Sequence, residues 1–235
     1  MSKRISLFLR LLTVLSVLSI AVLAVSTGEA STNEVTISDI SRTLSSAGTV
    51  FARFDQERNV SMFSESLKSD GFLCFMAPRS IRWEISHPYR SILICDGKSV
   101  SQFEWMNDRW QKLDTGLEEV VRQVTEQIAM ILQGRFAGSG NDAYTVSMVK
   151  TNGVVLTLVP KQKNKTGIIS YMSVRMSPDL KELRSVVLAE PDGDGTTISF
   201  SSVKTNVTFS AGTFDARTPM DGETIIKKFA PQGEL

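Results

Sequence analysis

Val50, Ala52 and Phe54 alternate with Arg53 and Asp55, so one face of residues 49–60 is apolar and the other charged, the two-residue period of a half-buried strand. Residues 71–76 and 81–85 repeat that pattern on either side of Ala77-Pro78-Arg79. Proline has no amide hydrogen to give a central ladder, so the Pro78 turn predicts a hairpin. Centred there, the hairpin sets Phe75 opposite Ile81 and Leu73 opposite Trp83 on one face, with Arg82 and Glu84 on the other. The expectation is a sheet with one apolar side and one wet side. Residues 91–95 and 99–105 flank Asp96-Gly97-Lys98, whose Asp-Gly pair supplies the positive φ angles of a tight turn and predicts a second hairpin.

Beyond residue 143, Asn152-Gly153, Asn164-Lys165-Thr166-Gly167, Pro178-Asp179 and Asp192-Gly193-Asp194-Gly195 separate runs rich in Val, Ile, Thr, Tyr and Phe, which read as a long antiparallel meander. Two segments depart from this period. Ile37, Ile40 and Leu44 recur at helical spacing within residues 36–46. Leu117, Val121, Val124, Ile128 and Ile131 do so again, with Thr115 and Glu118 as a capping box and Gly134 as the stop. A helix with an apolar stripe must cover something apolar, and the nearest candidate is one face of the sheet.

Composition narrows the chemistry. Over 235 residues, Lys+Arg total 26 against Asp+Glu 25, so a polybasic nucleic-acid reader is disfavoured. One His and two Cys are too few for a His/Cys metal cluster, and His87 has no Gly-x-Ser-x-Gly elbow to serve. No catalytic residue, metal site or cofactor is therefore expected. Cys74 and Cys95 are separated by one intervening strand, about 10 Å across two inter-strand spacings, which exceeds disulfide reach and predicts free thiols. Lys3, Arg4 and Arg10 lead an uncharged apolar run over residues 11–25 that ends in small residues, the pattern of a secretory signal peptide. The run is shorter than the roughly 20 residues that span a bilayer. Small-x-small cleavage fits after Ala24 or Ala30, the second favoured by position, and neither cut is followed by the Cys that a lipid-anchored lipoprotein requires. The expected organisation is a signal peptide over 1–30 and one domain over 31–235, with no linker dividing it.

The stretch from Gly71 to Lys98, GFLCFMAPRSIRWEISHPYRSILICDGK, resembles the periplasmic outer-membrane lipoprotein carrier family, LolA. The resemblance rests on the order and spacing of Pro78, Ile81, Trp83, Pro88, Ile92, Leu93, Asp96, Gly97 and Lys98. It extends more weakly to Val50, Ala52, Phe54 and Gln56 upstream and to residues 156–161 and 214–222 downstream.

That resemblance implies a mainly β (α+β) fold: a curved, incompletely closed antiparallel β-barrel under a helical lid, enclosing a hydrophobic cavity for lipoprotein acyl chains. The cavity would be lined by Val50, Phe54, Leu73, Phe75, Ile81, Trp83 and Leu93, and the lid helix would present Val121, Val124, Ile128 and Ile131. Met76, Met130, Met148, Met172 and Met176 suit a space that accepts flexible chains, and equally suit core filling. The implied partners are lipoprotein acyl chains, an inner-membrane lipoprotein-releasing transporter and an outer-membrane lipoprotein receptor or the outer membrane itself, with the carrier a periplasmic monomer that binds no nucleic acid. Many family members carry an Arg before the turn proline as a latch between barrel and lid. This chain has Ala77 there, leaving Arg79 or Arg82 as substitutes. Two alternatives share the fold: a lipid- or glycolipid-binding protein of an export system, and a lipoprotein-sensing module.

Overall fold

The structure is a computed structural model, and it describes residues 35–114, 118–136, 143–161, 169–217 and 219–229. The leader over 1–30, Leu117, the Thr115 cap and the turn at 164–167 lie outside the described residues, as do the side chains of Glu118 and Val121.

Eleven antiparallel strands form one sheet: β1 (Thr49–Asn59), β2 (Leu67–Met76), β3 (Ser80–His87), β4 (Ser91–Asp96), β5 (Val100–Met106), β6 (Arg109–Leu113), β7 (Tyr144–Thr151), β8 (Gly153–Pro160), β9 (Tyr171–Met176), β10 (Leu183–Ala189) and β11 (Gly195–Thr205). Their order is β6-β5-β4-β3-β2-β1-β11-β10-β9-β8-β7. Neighbouring strands are consecutive in the chain except the central β1–β11 pair, and β6 and β7 remain edges, so the sheet does not close into a barrel. Helix α2 (Glu118–Leu132) lies in the chain between those two edges, while α1 (Ile37–Ser45) precedes β1 and α3 (Gly222–Phe229) follows β11.

The Pro78 hairpin has the expected register, Leu73 opposite Trp83 and Phe75 opposite Ile81. The Asp96-Gly97 hairpin pairs Cys95 with Val100, and Gly97 takes φ +91. Cys74 and Cys95 are free and buried, on β2 and β4 with β3 between them. Burial raises the Cys74 thiol to about 12. Helix α1 begins with a capping box: Thr36 accepts from the Asp39 amide at 3.2 Å, and the Thr36 amide donates to the Asp39 carboxylate at 3.0 Å.

One expectation is overturned. Arg82 and Glu84 do not face water: both are buried under the segment that follows β11. There Val207, Phe209, Phe214, Met220, Ile225 and Phe229 pack on Phe51, Phe72 and Cys74, making a second core on the convex face. Ile92, Ile94 and Phe103 form a third cluster on that side, under Trp110 and Ala216. The reason is apolar area. Phe51, Phe72, Ile92 and Ile94 have the opposite parity from the cavity-face residues, and exposing them would forgo about 1.5–3 kcal/mol each.

Candidate functional site

The concave face is built by strand parity. Val50, Ala52 and Phe54 of β1 lie beside Phe75 and Leu73 of β2, then Ile81 and Trp83 of β3, then Cys95 and Leu93 of β4. Phe54 stacks on Trp83 with ring centroids 4.2 Å apart. Across β1, Phe200 and Ile198 of β11 continue the surface, followed by Val186, Val174 and Leu156 on the next strands. Six of the seven residues assigned to the cavity from sequence, Val50, Phe54, Leu73, Phe75, Ile81 and Trp83, are buried in this one cluster, and Leu93 is half-buried against it.

Two helices cover the face. Helix α1 contributes Ile40 and Leu44, and α2 contributes Ala129, Ile131 and Leu132 with Phe136 just beyond it. Of the stripe expected on α2, Ile131 is buried in the cluster, and further positions join it. Thr125, Ala129 and Leu132 face inward, Ile128 packs at the border, and Val124 is half-buried outside the cluster. Small side chains at 125 and 129 let the helix approach β5 and α1 closely. Met172 and Met176 are buried in the interior and Met130 and Met148 pack at its border. Met76 instead ends β2 with 39% of its surface exposed, so it belongs to the hairpin tip and not to the cavity.

Little space is left under α1 among the described residues. A cavity of about 40 Å³ remains beneath α1, bounded by Leu44, Val50, Leu73, Leu132, Leu183 and Phe200. That is close to the volume of one water molecule, whereas ligand sites run to about 300–1,000 Å³. Gln133 donates to the Pro78 carbonyl at 2.6 Å, and Ser41 donates to the Gly134 carbonyl, joining α1 to α2. Gly134 takes φ +60 there, and a Cβ on it would meet the Ser41 carbonyl oxygen at 2.2 Å.

Sequence reasoning left open which Arg stands in for the absent one at Ala77. Arg82 is excluded, because it points to the convex face, where it pairs with Glu84 at 2.6 Å and donates to the carbonyls of Thr213 and Met220. Burial holds the Glu84 carboxyl above its ordinary value despite that pair. Arg79 lies in the β2–β3 turn, and the described hydrogen bond from the lid to that turn comes from Gln133.

At the far end of the strands the concave face opens into a groove of about 670 Å³, bounded by Leu67, Ile85, Tyr89, Trp105 and Met106 among others. Ile85 also packs against the main cluster, so the groove adjoins the interior two residues along β3 from Trp83. Leu67 and Tyr89 are 53% and 84% exposed, unusual for such side chains in a surface concavity. None of these residues was assigned from sequence. The available signal was the continued alternation Ile81, Trp83, Ile85 into the Pro88-Tyr89 turn. His87 is exposed beside the groove with its ring 3.0 Å from Asp70. Among the described residues, one carboxylate group has metal-ligand spacing, Glu190, Asp192 and Asp194. Arg58 pairs with Glu190 at 2.9 Å, and the Ser61 amide donates to Asp194 at 2.8 Å.

Residues 45–217 match the family model described as outer membrane lipoprotein carrier protein LolA. An outer-membrane lipoprotein carrier protein of Azotobacter vinelandii is 25% identical over 218 residues, covering 90% of this chain and 98% of that one. A second, from Francisella philomiragia, is 27% identical over 180 residues, covering 74% and 80%. The crystal structure of a LolA superfamily protein from Nitrosomonas europaea superimposes with a TM-score of 0.40 at 9% identity, covering 78% of this chain and 99% of that one.

Proposed function

Because the chain belongs to the LolA family of outer-membrane lipoprotein carrier proteins, we propose that it carries the acyl chains of lipoproteins through the periplasm in the space between its concave face and its two covering helices. The observation that carries this reading is the continuity of the buried apolar face with an open apolar groove. A buried methylene contributes roughly 0.8 kcal/mol, so a multi-chain lipid cannot cross water with its tails uncovered. Apolar contact is non-directional, so chains that enter by the groove can replace α1 and α2 against the same side chains. The contacts of Ile40, Leu44, Ile131 and Leu132 are then exchanged for contacts of equivalent chemistry, and Gln133 and Ser41 each give up a neutral hydrogen bond. Such exchange requires no catalysis. No helix among the described residues is long and apolar enough to cross a membrane.

The cavity residues in this reading are Val50, Phe54, Leu73, Phe75, Ile81, Trp83 and Leu93, extended by Ile85 into the groove. The donor would be an inner-membrane lipoprotein-releasing transporter and the acceptor an outer-membrane receptor. The deciding experiment incubates the purified chain with inner-membrane vesicles loaded with acylated lipoprotein and a transporter of that class. Soluble, acyl-dependent complexes of lipoprotein with this chain are expected. Release of lipid without lipoprotein would favour a lipid or glycolipid carrier, and retention without transfer to outer membrane would favour a sensor.

A further inference from the structure

At the end of the sheet opposite the groove, a cavity of about 300 Å³ opens between α2 and the tips of the two hairpins. Four cationic side chains converge on it from four places in the chain: Arg79 in the β2–β3 turn, Lys98 in the β4–β5 turn, Arg122 on α2, and Arg135 just after α2. A single carboxylate, Glu126, lines it with them, and Glu126 is engaged with Arg122 at 2.7 Å. Asp96, next to this wall, is turned into its own loop. It accepts from the Ser99 amide at 2.8 Å and the Lys98 amide at 2.9 Å, bonds that hold its carboxyl below the usual range. Among the described residues no carboxylate pairs with Arg79, Lys98 or Arg135. The floor is apolar: Ala129 and Cys95 belong to the interior cluster and Val100 packs on it. A positively charged concavity therefore shares a wall with the apolar space.

The geometry points to a binding site for the phosphate headgroup of a diacyl lipid whose tails lie in the interior. This inference rests on the acyl-carrier reading for the tails and adds a second cargo to it, because the acylated cysteine of a lipoprotein bears no phosphate. Arginine forks bond phosphate bidentately and converge on its several oxygens, whereas a carboxylate offers a single two-oxygen edge. At about 300 Å³ the cavity suits a headgroup and is too small for the chains. The α2 helix forms one wall of the cavity and covers the interior with its Ala129 side, so lifting it joins the two spaces.

The test measures binding of two probes with identical fluorescent acyl chains, phosphatidylglycerol and diacylglycerol, to the chain purified from the periplasm. Phosphatidylglycerol is expected to bind about tenfold tighter or more at low salt, a preference that shrinks as salt screens the site. The double variant Lys98→Gln/Arg135→Gln should bring the ratio close to one, and Lys98→Arg/Arg135→Lys should keep most of it. Both positions are exposed, and a cooperative melt for each variant verifies folding. Equal binding of the two probes by the parent chain overturns the headgroup site and leaves the acyl carrier standing. A preference unmoved by the double Gln variant overturns the assignment to this cavity. Failure of both probes to bind overturns the carrier reading, and this inference with it. Inorganic phosphate that binds alone as tightly as phosphatidylglycerol would make the ligand a free anion and overturn the link to the tails.

Discussion

Replacing Trp83 with Ala separates a lipid-exchanging interior from a permanently filled core. Trp83 is 9% exposed, stacks on Phe54 and sits between Leu73 and Leu93 on the neighbouring strands. Removing it should cost about 3–5 kcal/mol, which leaves a domain of ordinary stability, about 5–15 kcal/mol, still folded. At this chain length the melting midpoint should fall by about 6–20 °C. The void it leaves adjoins Ile85 and the groove, so an acyl chain can fill it. Ligand at about 100 times its Kd returns about 2.7 kcal/mol, or roughly 5–11 °C. Phe72→Ala is the control: Phe72 is fully buried, but beneath the C-terminal segment on the convex face, and it lines neither the groove nor the cavity under α1. Thermal melts with and without a long-chain acyl ligand should show a larger ligand-induced rise for Trp83→Ala than for Phe72→Ala. Equal rises in the two variants would refute the assignment of the concave face to lipid.

Further outcomes follow from the same geometry. Trp83→Glu places a carboxylate where tails would lie, an uncompensated burial worth several kcal/mol, so a fluorescent acyl probe should no longer bind while a cooperative melt persists; a folded variant that binds like the parent would sink the site assignment. Gln133→Ala removes the 2.6 Å tie to Pro78, a loss of about 0.5–1.5 kcal/mol, and should raise the association rate of that probe severalfold in stopped flow; an unchanged rate would mean that the tie is no latch. Since burial holds Glu84 above its ordinary value, the native state keeps a proton that the unfolded chain releases, and stability should fall as pH rises from the ordinary value through the raised one. Urea midpoints across that window should show a flatter slope for Glu84→Gln, and an unaltered slope would contradict the argument. The mature N-terminus should lie near Ser31 or Val25 by mass spectrometry, and recovery of full-length chain from the inner membrane would refute cleavage.

The parts of the fold legible in the sequence are those whose partners are close along the chain. The Pro78 turn places Leu73 against Trp83 because a hairpin has one dominant register once its turn is known, and the observed pairing follows it. Strand β6 escaped notice because Arg109-Trp110-Gln111-Lys112-Leu113 is short and edge-exposed, with little alternation to detect. The convex face was misjudged for a different reason. Arg82 and Glu84 look solvent-facing in isolation, and only the residues around residue 220, far along the chain, supply the carbonyls that let them be buried. Phe51, Phe72, Ile92 and Ile94 shared their parity, and Ile225 and Phe229 stood one helical turn apart near the C-terminus; together these were the readable trace of a second core.

The candidate site posed a harder problem, because strand parity identifies a face and not the contents of the space above it. Val50, Phe54, Leu73, Phe75, Ile81 and Trp83 would alternate in the same way whether helices or lipid lay against them. What distinguishes the cases is how firmly the cover is held. On the convex side the cover is fastened by its carbonyls of Thr213 and Met220, which accept from the buried Arg82 guanidinium, and hydrogen bonds to a charged group are worth about 1.5–3 kcal/mol each. On the concave side Gln133 ties α2 to the Pro78 turn and Ser41 ties α1 to α2 through neutral hydrogen bonds, each worth about 1 kcal/mol net, over contacts that an acyl chain reproduces. The same sheet thus has one face whose cover is held by charged hydrogen bonds and one whose cover is held by neutral ones, and this difference in fastening supports the proposal that acyl chains lie on the concave side.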